Sequence, residues 1–137
     1  MKIVLNLIPP TINKYIGRSN IWEYQKDKKE LSKSVQMLTV DNNPKYDYCN
    51  ITVTYFFKDK RRHDPSNYDK MLLDALIDAN IITDDSYDVI NEFKTLGRVD
   101  SVNPRTEIVI EPLLNNADFC MRRNCHGCKY EEKCNKW

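Results

Sequence analysis

Residues 58–88 hold an unusual density of side chains suited to phosphate chemistry. "KDKRRH" at 58–63 sets Lys58, Lys60, Arg61 and Arg62 directly ahead of Asp64. Asn67, Lys70 and Asp74 follow, and "TDDSYD" at 83–88 adds Asp84 and Asp85. Carboxylates are the oxygen ligands that a hard cation such as Mg²⁺ (or Mn²⁺) prefers. A cation held there activates water and neutralises charge on an attacked phosphate, and a lysine offsets more of that charge. Arginines and lysines alongside grip a nucleic-acid backbone. Together these residues suit metal-dependent phosphodiester cleavage. A solvated helix with an N-cap aspartate accounts for the acidic stripe alone, but not for the basic run before it or the acid pair after it.

The elements around these residues read as follows. "KIVLNLI" at 2–8 is a short strand stopped by Pro9 and Pro10, and 11–20 is a loop. Residues 21–38 contain no Pro or Gly and repeat apolar positions at helical spacing, so they form an amphipathic helix. "CNITVTYFF" at 49–57 alternates apolar and polar residues and is a strand. A second helix starts at Asp64, with Pro65 in its first turn, and ends near Asn80. On a wheel it gathers Leu72, Leu73 and Leu76 on one side and Asn67, Lys70, Asp74 and Asp78 on the other. Two further strands are expected at 87–97 and 105–112. This order predicts an α/β or α+β domain, a small mixed sheet packed against two main helices. The two ends of a helix lie apart, so Asp64 meets Asp84 and Asp85 only if the second strand returns across the first.

After Pro112 the composition shifts, and residues 113–137 read as an appendage to a domain of 1–112. "CMRRNCHGCKYEEKC" spaces Cys120, Cys125, Cys128 and Cys134 as C-x4-C-x2-C-x5-C. Four thiols so close in an intracellular chain point to a shared metal. Zn²⁺ is the preferred metal, a [4Fe–4S] cluster the alternative, with disulfides or an empty tail as the remaining readings; elemental analysis separates zinc from iron. Cys49 is a small core residue.

A net charge of +1, with 41% hydrophobic and 30% charged residues, indicates a soluble globular chain without a general polycationic coat. No stretch approaches the roughly 20 apolar residues that cross a bilayer, and the first apolar run is too short for a signal peptide. An intracellular, cytoplasmic protein is expected, from a cell or encoded by a phage, with no membrane partner.

"RRHDPSNYDKMLLDAL…IITDD" resembles the signature of the RusA-type Holliday junction resolvases: a basic run, an Asp-x-Asp-Asn-x-x-Lys-x-x-x-Asp-Ala-Leu helix and a following Asp-Asp pair. "PPTINKY" at 9–15 is similar to that family's Pro-Pro-Ser-x-Asn-x-Tyr loop. The resemblance spans about residues 1–112 and implies a homodimer that binds four-way DNA junctions. With Mg²⁺ it cuts two strands symmetrically, leaving 5′-phosphate ends. By position, Asp64 and Asp85 fall on essential metal-site aspartates and Lys70 on the essential lysine. Asn67, Asp74 and Asp84 match other motif positions. The third essential aspartate aligns with Ser66, whose neutral hydroxyl is the weaker ligand. Three readings follow: Ser66 acts through a water, Asp69 or Asp74 substitutes, or the protein binds branched DNA with little or no cleavage. The resemblance says nothing of the cysteine tail.

Overall fold

A computed structural model describes residues 1–15, 21–41 and 45–113 of the chain; the four tail cysteines lie outside them. Strands β1 (Lys2–Leu5), β2 (Cys49–Phe57), β3 (Ile90–Val99) and β4 (Arg105–Pro112) form one sheet in the order β1-β4-β2-β3. β4 is antiparallel to both β1 and β2, while β3 runs parallel to β2. Helices α1 (Ile21–Leu38) and α2 (Asp69–Asp78) complete a mixed α+β fold. Among the described residues no helix is long and apolar enough to cross a membrane.

Strand alternation builds the core. Cys49, Ile51, Val53, Tyr55 and Phe57 of β2 are buried, as are Thr106, Ile108 and Ile110 of β4. Leu31 and Val35 of α1 and Met71, Leu72, Ala75 and Leu76 of α2 belong to the same buried cluster. Burial pushes the Cys49 thiol up to about 11, which keeps it a neutral core group.

Four boundaries differ from expectation: β3 runs on to Val99 rather than ending at 97, and the other three differ for local reasons. β1 stops at Leu5 because its partner begins at Arg105; the Thr106 hydroxyl then donates to the Leu7 carbonyl at 2.7 Å. The helix expected from Asp64 opens instead as a 3₁₀ turn, Pro65–Tyr68, before α2 begins at Asp69. β3 starts at Ile90 rather than 87, because the Val89 and Ile90 amides both donate to the Ser86 carbonyl and close a turn first. α2 ends as expected near Asn80. That residue adopts φ 59°, its amide bonds the Ile77 carbonyl, and the Ile81 amide reaches back to Leu76. Asparagine is among the few residues that accept this left-handed position.

Candidate active site

The β2–α2 junction carries most of the chemistry. β2 ends at Phe57, and the loop after it is anchored by its own side chains. His63 stacks on the Phe57 ring at 4.0 Å with an interplanar angle of 7°. One ring nitrogen pairs with Asp59 Oδ1 at 3.1 Å, the other with the Tyr68 hydroxyl at 3.3 Å. The Arg61 amide also donates to Asp59 at 3.0 Å. The hydrogen bond to His63, then that to Arg61, holds the Asp59 carboxyl below its usual range. This brace leaves Lys58, Lys60, Arg61 and Arg62 exposed. A surface cleft of about 380 Å³ is lined by Lys60, Arg61, His63 and Arg98 together with Asp59, Pro65 and Gly97. A cleft with several cations at its rim suits an anionic backbone.

Asp64 stands at the entry to the 3₁₀ turn with extended backbone, φ −105° and ψ 102°. Its carbonyl accepts the Asn67 amide at 3.1 Å. Its side chain makes no capping bond and instead accepts the Ser66 hydroxyl at 2.9 Å. Asp64 and Ser66 are therefore brought together, as one carboxylate and one neutral oxygen.

Both carboxylates named as substitutes for the missing aspartate have hydrogen-bond donors of their own. Asp69 accepts the Tyr55 hydroxyl at 2.7 Å and the Thr95 hydroxyl at 2.8 Å. Burial raises its carboxyl above the ordinary value, the two hydrogen bonds oppose that rise, and the nearby charge of Asp64 adds to it. Asp74 accepts Lys70 Nζ at 3.2 Å on one oxygen and the Tyr24 hydroxyl on the other. Burial, then this bond, keeps the Tyr24 phenol well above its usual range, so it stays a donor. Asp74 thus orients Lys70 rather than standing ready for a cation.

The loop at 9–15 joins this network from behind. Tyr15 meets Tyr24 edge to face at 5.0 Å, and its hydroxyl donates to Asp27 at 2.6 Å. Lys14 reaches Asp27 at 3.0 Å and Glu23 at 3.3 Å. The Tyr15 bond, then the Lys14 bond, holds the Asp27 carboxyl below its usual value. A depressed carboxylate stabilises the fold above the unfolded value of about 3.9, and that stability is lost as pH falls through the lower folded value. Tyr15→Phe is expected to melt below wild type at neutral pH, with the gap narrowing as pH drops below about 4. A gap of constant size across an acid series of thermal melts would assign the loss to packing instead.

Asp84 and Asp85 lie elsewhere. Both are exposed, and Asp84 accepts the Asp85 amide at 2.9 Å. Their loop is tied to the start of β2: Tyr46 and Ile82 form a bridge, and the Cys49 amide bonds the Val89 carbonyl. Parallel pairing sets Ile90 beside Cys49 and Val99 beside Phe57. Asp64 belongs to the Val99 end, where Pro65 packs on Gly97. At about 3.3 Å per strand residue, the Asp64 and Asp85 ends of one chain are on the order of 20 Å apart. Consistent with this, among the described residues no group of three or more His, Cys, Asp or Glu side chains is placed to hold a metal ion. Within one chain Asp64 has the Ser66 hydroxyl beside it, while Asp84 and Asp85 lie toward the other end of the β2–β3 pair.

Tyr24, Tyr55, Thr95 and the Asp59–His63 brace were not singled out from sequence. No local pattern marks them, since each gains its role from a partner on another element or across a loop. The chain matches no known family profile and no characterised protein.

Proposed function

We propose that the protein is a Mg²⁺-dependent, structure-specific endodeoxyribonuclease of the RusA type, acting on four-way DNA junctions as a homodimer. The observation that carries this reading is the β2–α2 junction. There Asp64 follows the exposed Lys58, Lys60, Arg61 and Arg62, of which Lys60 and Arg61 line the cleft with Arg98, and Lys70, six residues on, is oriented by Asp74. Lys70, held by Asp74, which in turn accepts the Tyr24 hydroxyl, offsets charge on the reacting phosphate; the cations and Asn67 hold the DNA backbone. The cation, once bound, supplies an activated water and charge neutralisation. Because Asp84 and Asp85 lie at the far end of their own chain, each site takes them from the second copy. Metal-dependent scission of a synthetic four-way junction, assayed with Mg²⁺ or Mn²⁺ beside metal-free binding, tests this proposal. Failure to bind the junction at all sinks it.

A second reading has its own observation. Ser66 gives Asp64 a neutral hydroxyl where the resembled family has a carboxylate, so the protein binds branched DNA and cuts it weakly or not at all. Restoring the charge separates the two. Ser66→Asp is expected to lower the half-saturating Mg²⁺ and raise cleavage about 10-fold or more, because anionic oxygens are the better ligands for a hard cation. A higher Mg²⁺ requirement in the variant would mean that the site was not short of a carboxylate.

A further inference from the structure

Helix α1 buries one side and turns the other to solvent, and the exposed side has a pattern of its own. Trp22, Lys26, Lys29 and Lys33 recur at helical spacing and fall within an arc of about 60°. All four are exposed, Trp22 to 82%. Leu31 and Val35, on the buried side, hold the helix to the core. Tryptophan is highly buried on average, so one left in water on a packed helix is unusual. Lysines three and four apart repel each other. Folding explains neither. We propose that this stripe is a second nucleic-acid surface that takes a single strand of DNA, with the lysines on its phosphates and Trp22 stacked on an unpaired base. The inference rests on the nuclease reading only in naming DNA as the polymer.

Charge supplies the first argument. The whole chain carries only +1, so lysines aligned in one stripe make a local field against a neutral background. Among the described residues none of the three forms an ion pair. The acids of α1 stand aside: Glu23 and Asp27 both meet Lys14, and Glu30 lies at the margin of the stripe. From Lys26 to Lys33 the ammonium groups step along about 10 Å of helix, close to one per turn. Such a row suits a run of phosphates better than one compact anion.

The aromatic ring supplies the second. Bases inside a duplex are covered by their neighbours, whereas an unpaired base has a face free to stack. A ring at the head of a cationic track holds a single strand with little regard to sequence. An anionic membrane would also attract the lysines, but the apolar side of α1 that would have to enter it is buried in the core.

Position separates the stripe from the cleft. Ser34, Met37 and Leu38 of α1 line a shallow pocket with Val4, Leu5 and Leu7, so the helix borders β1. The cleft is lined by Gly97, Arg98 and Val99 of β3. β1 and β3 are the two outer strands of the four, and the edges they form lie on the order of 14 Å apart.

The chain has two tryptophans, so Trp137→Phe leaves Trp22 as the sole indole. In that full-length variant, without divalent metal, oligothymidylate is expected to quench the fluorescence saturably, and its duplex with oligoadenylate far less. Anisotropy of labelled oligothymidylate should show Trp22→Ala binding at least ~10-fold more weakly. Changing Lys26, Lys29 and Lys33 together to Gln should flatten the slope of log affinity against log salt by about 2, from three phosphate contacts at about 0.7 each. All four side chains are exposed, so these variants remove no core contact. No quenching, equal quenching by the duplex, an unchanged salt slope, or quenching by phosphatidylserine vesicles in place of the oligonucleotide overturns the surface. A chain that cuts junctions while Trp22 stays unquenched overturns this surface alone. One that is quenched yet neither binds nor cuts a junction overturns the nuclease reading and leaves the surface standing.

Discussion

Asp64→Asn and Asp85→Asn proteins, each inactive alone on a four-way junction, are expected to cut when mixed. In a site shared between copies, a mixed dimer has one site that carries both substitutions and one that carries neither. Random exchange makes half the dimers mixed, so about a quarter of all sites regain the wild-type set, against essentially none in either parent. Each mixed dimer holds a single competent site, so the product should be a nicked junction rather than a pair of symmetric cuts. The crossover from β2 through α2 to β3 carries Asp84 and Asp85 away from Asp64, to the start of β3. If both carboxylates served one site within a chain, every site in the mixture would keep one substitution and no cutting would return. Gel analysis of labelled strands, after the two proteins have exchanged subunits, distinguishes these outcomes. Asparagine preserves shape and removes only charge, so lost activity in the parents is not attributable to a cavity.

The strands and helices that depend on local pattern were legible in the residues. β2 alternates buried and half-buried positions along its whole length, β4 does so from Arg105 to Ile110, and α1 buries Leu31 and Val35 one turn apart. The Asn80 stop was legible for the same reason, because it depends on one residue's backbone preference. The start of α2 was less so: Pro65 fits a helical first turn, yet it opens a 3₁₀ turn that ends where Asp69 finds Tyr55 and Thr95. Those two partners sit on different strands, and no spacing in the sequence brings them together. The basic run, Asp64, Lys70 and the Asp84–Asp85 pair announced themselves by type. What type could not convey is that parallel pairing of β2 and β3 sends the acid pair to the far end. That depends on contacts between residues some forty positions apart, such as Cys49 with Ile90.

Lys70→Ala is expected to slow the chemical step by roughly 30- to 1000-fold, about 2–4 kcal/mol, while changing junction affinity little. The lysine is held on α2 by Asp74, which the Tyr24 hydroxyl holds in turn, so its ammonium is positioned before substrate arrives. A cation so fixed matters most where negative charge develops on the reacting phosphate. Lys58, Lys60, Arg61 and Arg62 are exposed, Lys60 and Arg61 line the cleft, and under the proposed function the four share the ground-state backbone among them. Replacing Arg61 and Arg62 together should therefore weaken binding and flatten its salt dependence by about two phosphate contacts, with single-turnover rate at saturation nearly unchanged. Tyr24→Phe provides an intermediate case: it leaves Lys70 in place but frees one oxygen of Asp74, so the rate should fall by less than in Lys70→Ala, with affinity again preserved. Single-turnover cleavage at saturating protein, measured beside metal-free binding over a salt series, separates the roles. If Lys70→Ala lost affinity and kept its rate while the arginine pair did the reverse, Lys70 would belong to the DNA grip and the reacting phosphate would answer to the arginines.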